Sequence, residues 1–198
     1  MKDCWDGLLR RWQIKAFIVL LIGSLLTACV AAVMATAAAS VIVYDRRSLS
    51  AMESDARIFY RINKTIVSDR QFMHSRIHIV SFNQVVLLIG QTPTASLRVA
   101  AEKIAAQTPN VRRVYNEITV NQALSLAQSG RDSLITSQVR THMLTRKGLE
   151  SGSIRVVTED AVVYLMGIVT HEQANIAVDV ARRVQGVNKV VKVFQYIV

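Results

Sequence analysis

Cysteine is nearly absent: the only two, Cys4 and Cys29, lie within the first 29 of 198 residues. From residue 30 onward there is no thiol, which excludes a disulfide and a thiolate-bound metal from the body of the chain. Its stability must come from packed cores. Glycine is scarce as well. Eight residues leave little for loops that cradle phosphate, and no glycine-rich phosphate loop, nucleophile elbow or zinc spacing occurs. The four histidines, His74, His78, His142 and His171, are isolated. His74 and His78 are four apart, but a turn and the start of a strand are expected between them, so no metal and no cofactor is expected. Carboxylates also sit singly: Glu102 and Asp179 on expected helices, Glu150 before a strand, Glu159-Asp160 in a turn. Hydrolysis needs a base within reach of a nucleophile, or paired carboxylates, in a formed cleft. A binding protein without a small-molecule substrate is the expectation, not an enzyme.

What the N-terminus does have is a basic start followed by a long uncharged run. Lys2, Arg10, Arg11 and Lys15 precede residues 16–43, 28 positions without a charge. That run exceeds the roughly 20 residues needed to span a bilayer. One reading is an uncleaved inner-membrane signal anchor with its basic flank in the cytoplasm. The other is a cleaved secretory signal. Leu26-Thr27-Ala28-Cys29 resembles a bacterial lipobox, in which the cysteine thiol receives diacylglycerol and cleavage makes Cys29 the first mature residue. Val30, rather than Asp, follows it, which in that sorting pattern points to the outer membrane. Residues 30–40 are mostly Ala, Val, Thr and Ser, more a small-residue tether than a Leu-rich lipid-facing helix. The lipoprotein reading is favoured. Both readings place the remainder beyond the inner membrane.

The formal charge of +10 loses four basic and two acidic residues with positions 1–28 and leaves +8. An exported body with that excess favours anionic surfaces: phospholipid head groups or lipopolysaccharide. Export argues against nucleic acid, as does the lack of any run of five or six basic residues.

The body is written twice. A shift of 77 places Asp55 on Asp132, Ile58 on Ile135, Ile62 on Val139, Ile66 on Met143, Phe72 on Leu149 and Gly90 on Gly167. A shift of 76 then carries Ala105 onto Ala181, Val111 onto Val187 and Ile118 onto Phe194. Such self-similarity indicates duplicated domains. Each copy reads as a helix, two short strands, a second helix and a final strand. Apolar residues every four positions mark the first helices, from near Met52 and from Asp132, where Asp132 or Ser133 can cap the exposed amides. Residues 76–81 and 85–89 read as strands joined by a tight connection, as do the two runs flanking 159–161. Gly90 and Gly167 are expected to end their strands. Thr94 or Ser96 can start a second helix that buries Leu97, Ala100, Ala101 and Ile104. Its partner, from about His171, turns Ala174, Ala177, Val178 and Ala181 inward. Strands 113–120 and 189–198 close the units. The fold class is therefore α+β: two tandem α-β-β-α-β two-layer sandwiches that pack on each other. The divisions are a signal peptide over 1–28, a lipidated Cys29 and tether over 29–51, domains over 52–121 and 132–198, and a polar linker over 122–131.

At this level a resemblance becomes specific. The strand ends Val-Leu-Leu-Ile-Gly (86–90) and Val-Tyr-Leu-Met-Gly (163–167) resemble BON domains, as do the returns Pro-Asn-Val-Arg-Arg-Val (109–114) and Gln-Gly-Val-Asn-Lys-Val (185–190). A lipobox ahead of two such domains is similar to the dual-BON outer-membrane lipoproteins. Asp45-Arg46-Arg47-Ser48, Gly90-Gln91-Thr92-Pro93 and Tyr115-Asn116-Glu117-Ile118 add local matches. The resemblance implies a protein of the periplasmic face of the outer membrane that supports envelope integrity. It also implies binding of anionic phospholipid, phosphatidylglycerol or cardiolipin, through the first helix of the second domain, here residues 132–147. Leu134, Ile135, Arg140, Arg146 and Lys147 are the residues it nominates, with Cys29 as the lipidation site. The family has a bulky aromatic where this chain has Leu134, which implies a smaller interfacial anchor. The alternative is a protein-binding accessory of outer-membrane assembly or division machinery.

Overall fold

A computed structural model describes residues 45–197. The signal peptide, Cys29 and most of the tether lie outside the described residues. The first domain comprises α1 (Leu49–Ser68), β1 (Arg76–Phe82), β2 (Val85–Thr92), α2 (Ala95–Ala106) and β3 (Arg113–Val120). The second repeats it with α3 (Leu126–Leu144), β4 (Ile154–Glu159), β5 (Val162–Val169), α4 (His171–Arg182) and β6 (Lys189–Tyr196). In each sheet the middle strand pairs antiparallel with the strand before it and parallel with the strand after the second helix.

The alternation of β2 explains the architecture. Val86 and Leu88 face the helices and pack with Ile58, Ile62, Ile66, Ala101, Ala105 and Ile118. Val85, Leu87 and Ile89 point to the other face, where they meet Tyr164, Met166 and Val193 of the second domain. Successive residues of a strand point to opposite faces, so a strand covered on both sides reads as a continuous apolar run. The result is four layers: helices, sheet, sheet, helices. Ile135, Val139 and Met143 complete the far side against Val163, Leu165, Ala177 and Phe194.

Each β-hairpin turns through two non-glycine residues at positive φ, Asn83 and Gln84 in one and Asp160 and Ala161 in the other. This is the pattern of a type I′ turn. Left-handed backbone costs roughly 1–2 kcal/mol per such residue, and a buried carboxylate on the first helix offsets it. Asp55 accepts from the amides of Asn83 (2.7 Å) and Gln84 (2.8 Å) and from the Ser81 hydroxyl (2.9 Å). Asp132 accepts from the amides of Asp160 (2.9 Å) and Ala161 (3.0 Å). The structure therefore corrects the expectation that Asp132 caps a helix. It lies a turn and a half inside α3, whose cap is Ser125, accepting from the Gln128 amide at 3.2 Å. Much of the expected linker is accordingly helix.

Gly90 and Gly167 sit within their strands, not at their ends. A β-carbon on Gly90, where φ is +118°, would stand 2.0 Å from the Arg76 carbonyl oxygen; one on Gly167 would stand 2.6 Å from that of Ser153. Close backbone approach, not chain reversal, requires glycine at both positions. The second helices bury Ala101 and Ala105 in one copy and Ala174, Ala177, Val180 and Ala181 in the other. Leu97, Ala100, Ile104 and Val178 pack at the margins.

The first described residues strap the body. Arg47, almost fully buried, donates to Asp55 (2.9 Å) and Asp45 (2.7 Å) and lies over the Phe82 ring. Arg46 pairs with Glu150 of the second domain at 2.8 Å. Burial pushes the Asp45 pKa up, but the hydrogen bonds and charge of Arg47 prevail and hold it below the ordinary value.

Candidate functional site

Helix α3 is positioned by its buried stripe, Asp132, Ile135, Val139 and Met143. Ile135 is 6 % exposed and part of the core, so the structure removes it from the nominated surface. Leu134, its neighbour in sequence, is 65 % exposed and points outward. Residues one apart on a helix diverge by about 100°, enough to separate core from solvent. Arg140 is exposed, and its Nη2 donates to the Val156 carbonyl at 2.9 Å, holding the guanidinium beside the edge of β4. Arg146 and Lys147 are exposed but lie past the end of the helix at Leu144, in the turn that leads to β4. Arg155 on β4 stands nearby; desolvation and the charges of Arg47 and Arg140 push its pKa down.

The outward face holds more than was nominated. Leu126, Gly130, Ser133, Leu134, Ser137, Thr141 and Leu144 are all exposed, lie within about 100° of arc on the helix, and include no charge. Leu126 and Leu144 stand outside the apolar stripe of the core, which carries the periodic signal of this helix in the sequence. Their signal in the sequence is the absence of charge at positions that share one side of the helix.

The hydroxyls on and beside this face are satisfied internally. Ser129 donates to Ser125 O, Ser133 to Ser129 O, Ser137 to Ser133 O and Thr141 to Ser137 O, at 2.9–3.2 Å. A hydroxyl already bonded to the carbonyl one turn back loses little when water leaves. The face can therefore meet a less polar phase at low cost. Arg131 and Arg140 border it, and Arg146 and Lys147 stand at its end. The equivalent face of α1 differs: it carries the Glu53–Arg57 ion pair, Tyr60 and Lys64.

Two copies of one α-β-β-α-β unit, stacked sheet to sheet with a carboxylate under each hairpin, define the class. The BON domain family matches residues 54–122 and 131–197, and the chain belongs to that family as a dual-BON-domain protein. It is 36 % identical over 174 residues to the Outer membrane lipoprotein DolP of Haemophilus influenzae, covering 87 % of this chain and 90 % of that one. It is likewise 36 % identical over 154 residues to the 21 kDa hemolysin of Actinobacillus pleuropneumoniae, covering 77 % and 79 %. A solved structure of CdsD, a structural protein of the type III secretion system of Chlamydia trachomatis, covers 70 % of this chain and 91 % of its own at 11 % identity, with a TM-score of 0.29.

Proposed function

We propose that the chain is an outer-membrane lipoprotein, anchored through Cys29 on the periplasmic side, whose body binds anionic phospholipid through the outward face of α3 and thereby supports outer-membrane integrity. The compartment is supported by the name of the Haemophilus relative. Lipid contact is supported by one observation above all: a solvent-facing helix surface with three exposed leucines, no charge, hydroxyls closed onto the helix itself, and cations at its border. The leucines and hydroxyls suit the interfacial layer, and the cations suit phosphate. Each Lys or Arg near an anionic surface contributes on the order of 1 kcal/mol. With the acyl chains on Cys29 holding the protein, this contact need only orient the body.

Sedimentation with vesicles tests the reading. The body, residues 45–198, is expected to bind vesicles of phosphatidylglycerol or cardiolipin and to bind zwitterionic vesicles much less. Binding should weaken with salt as the Debye length falls from about 10 Å at 0.1 M to about 3 Å at 1 M. Charge reversal at Arg140, Arg146 and Lys147 should weaken it more than reversal at Arg57, Arg61 and Lys64. Because Arg140 also bonds Val156, the pair Arg146→Glu and Lys147→Glu serves as the variant with an undisturbed fold. Residues 54–121 hold nine basic and four acidic groups, residues 132–198 eight and six. Diffuse charge alone thus predicts the opposite ranking, and that outcome would remove the α3 site. For the anchor, Cys29→Ala should abolish fatty-acid labelling; retained label would overturn it.

A further inference from the structure

The first domain carries an exposed apolar seam of its own. Leu49, Ala56, Tyr60 and Val67 are exposed on α1, the last two at 63 % and 75 %. Their spacings of seven, four and seven put them on one line of the helix, within about 40° of arc. Phe59 stands beside the line, and Met73 is exposed just beyond the helix end. Scattered exposed apolar side chains are ordinary, but a row of them along 20 residues is a contact surface. Along one flank run Glu53, Arg57, Arg61 and Lys64. Glu53 is paired with Arg57, and Arg61 and Lys64 have no side-chain partner among the described residues.

We propose that this seam docks an acidic amphipathic helix of a partner protein, on the side of the molecule opposite α3. Three observations select that occupant. The bilayer is out of reach if α3 lies on it, a point that rests on the lipid reading above. The α1 and α3 helices form opposite outer layers, with both sheets between them. Sheet-to-sheet and helix-to-sheet spacings of roughly 10 Å each separate their axes by about 30 Å. A second copy is disfavoured, because each flank holds three cations and one carboxylate, already paired with Arg57, so two flanks would bring a net excess of positive charge together. An acidic helix is complementary: its apolar stripe covers Tyr60 and Val67, and its carboxylates meet the free cations. Tyr and Arg are enriched where interfaces hold their binding energy, and an apolar row at helical spacing suits a partner helix.

Two measurements on the full chain test the proposal. In vitro, the probe is a synthetic helical peptide with leucines along one line and glutamates on both flanks; its control has lysines in place of glutamates. By fluorescence anisotropy, the acidic peptide should bind at least tenfold more tightly. Tyr60→Ala and Lys64→Glu should each weaken it at least fivefold, while Leu134→Glu leaves it unchanged. Equal binding of both peptides, or loss with Leu134→Glu, would overturn the seam. In cells, a photo-crosslinking amino acid at Val67 should capture a protein segment rich in Asp and Glu, and Lys64→Glu should reduce that capture. Capture of lipid, of a second copy, of the chain's own N-terminal segment, or of a segment without acidic residues would refute it. Vesicle binding of the Tyr60→Ala variant separates the two readings: unchanged lipid binding with lost peptide binding is expected. If the wild-type chain binds no vesicles yet binds the peptide, the lipid reading falls and the seam stands.

Discussion

Arg76 of the first domain donates to Glu159 of the second at 2.6 Å, and the same carboxylate oxygen accepts from the Gln91 amide at 2.9 Å. The other face of Gln91 accepts from the Leu124 amide of the linker at 3.3 Å. One buried glutamate therefore joins both domains and the segment between them, and the His78 ring lies 3.8 Å from its second oxygen. This is where the duplication breaks: by the 77-residue shift Glu159 corresponds to Phe82, the ring that lies under Arg47. Identical halves would offer like groups at the seam, and divergence at this position makes them complementary.

Glu159→Ala leaves Arg76 and the Gln91 amide without their acceptor. Breaking a fully buried pair costs about 3–5 kcal/mol. Arg76 is partly exposed, so roughly 2–3 kcal/mol is expected after discounting for solvent. Urea unfolding measures it, and the transition should broaden or split as the domains uncouple. A cost below half a kcal/mol would show that the apolar seam alone holds the domains together.

Asp55→Ala should destabilise more than Asp132→Ala, although both remove the acceptor for two hairpin amides. Each orphaned buried donor costs about 1–3 kcal/mol. Only Asp55 also neutralises a buried guanidinium, that of Arg47, while Asp132 has the Gln128 amide at 3.5 Å instead. Denaturant midpoints of the two variants provide the comparison.

Gly90→Ala is expected to be the more damaging of the two strand-glycine substitutions. It combines positive φ with a 2.0 Å approach to backbone oxygen, whereas Gly167 has the contact without the positive φ. The Arg76 carbonyl belongs to β1 and the Ser153 carbonyl lies immediately before β4, so either can yield only by shifting the end of a strand. Thermal unfolding should rank Gly90→Ala below Gly167→Ala, and both below wild type.

Tyr164 at the seam has its pKa pushed up to about 12, chiefly by burial and then by the charges of Glu117, Glu159 and Asp160. The phenol is harder to ionise folded than unfolded, so its contribution to stability is complete below the ordinary value of 10.0 and is lost as pH rises from there toward 12. Stability should fall across that window, and less steeply in Tyr164→Phe. Absorbance at 295 nm should show a late-ionising component in wild type that is lost in Tyr164→Phe.

The repeat, the order of elements and the inward residues were legible because each rests on a local period. Ile58, Ile62 and Ile66 recur every four residues, and 85–89 is an unbroken β-branched and leucine run. Side-chain direction follows from such spacing once an element type is chosen. The start of α3 was not legible, since Leu126 stands alone and residues 127–131 are polar or small with no apolar recurrence, and the Asp132 carboxylate suited a cap equally well. Its true role needs a hairpin 28 residues away, brought within hydrogen-bond reach only when helix and sheet have packed. For the candidate surface, Leu134 was readable by position, whereas the loss of Ile135 to the core and the gain of Leu126 and Leu144 required the exact rotation of the helix. That rotation is set by contacts with β4 and α4. The composition and duplication of this chain determined two small α+β units; which faces they buried against each other, and which they left for a membrane or a partner, was decided by tertiary packing, because burial depends on neighbours that sequence spacing does not specify.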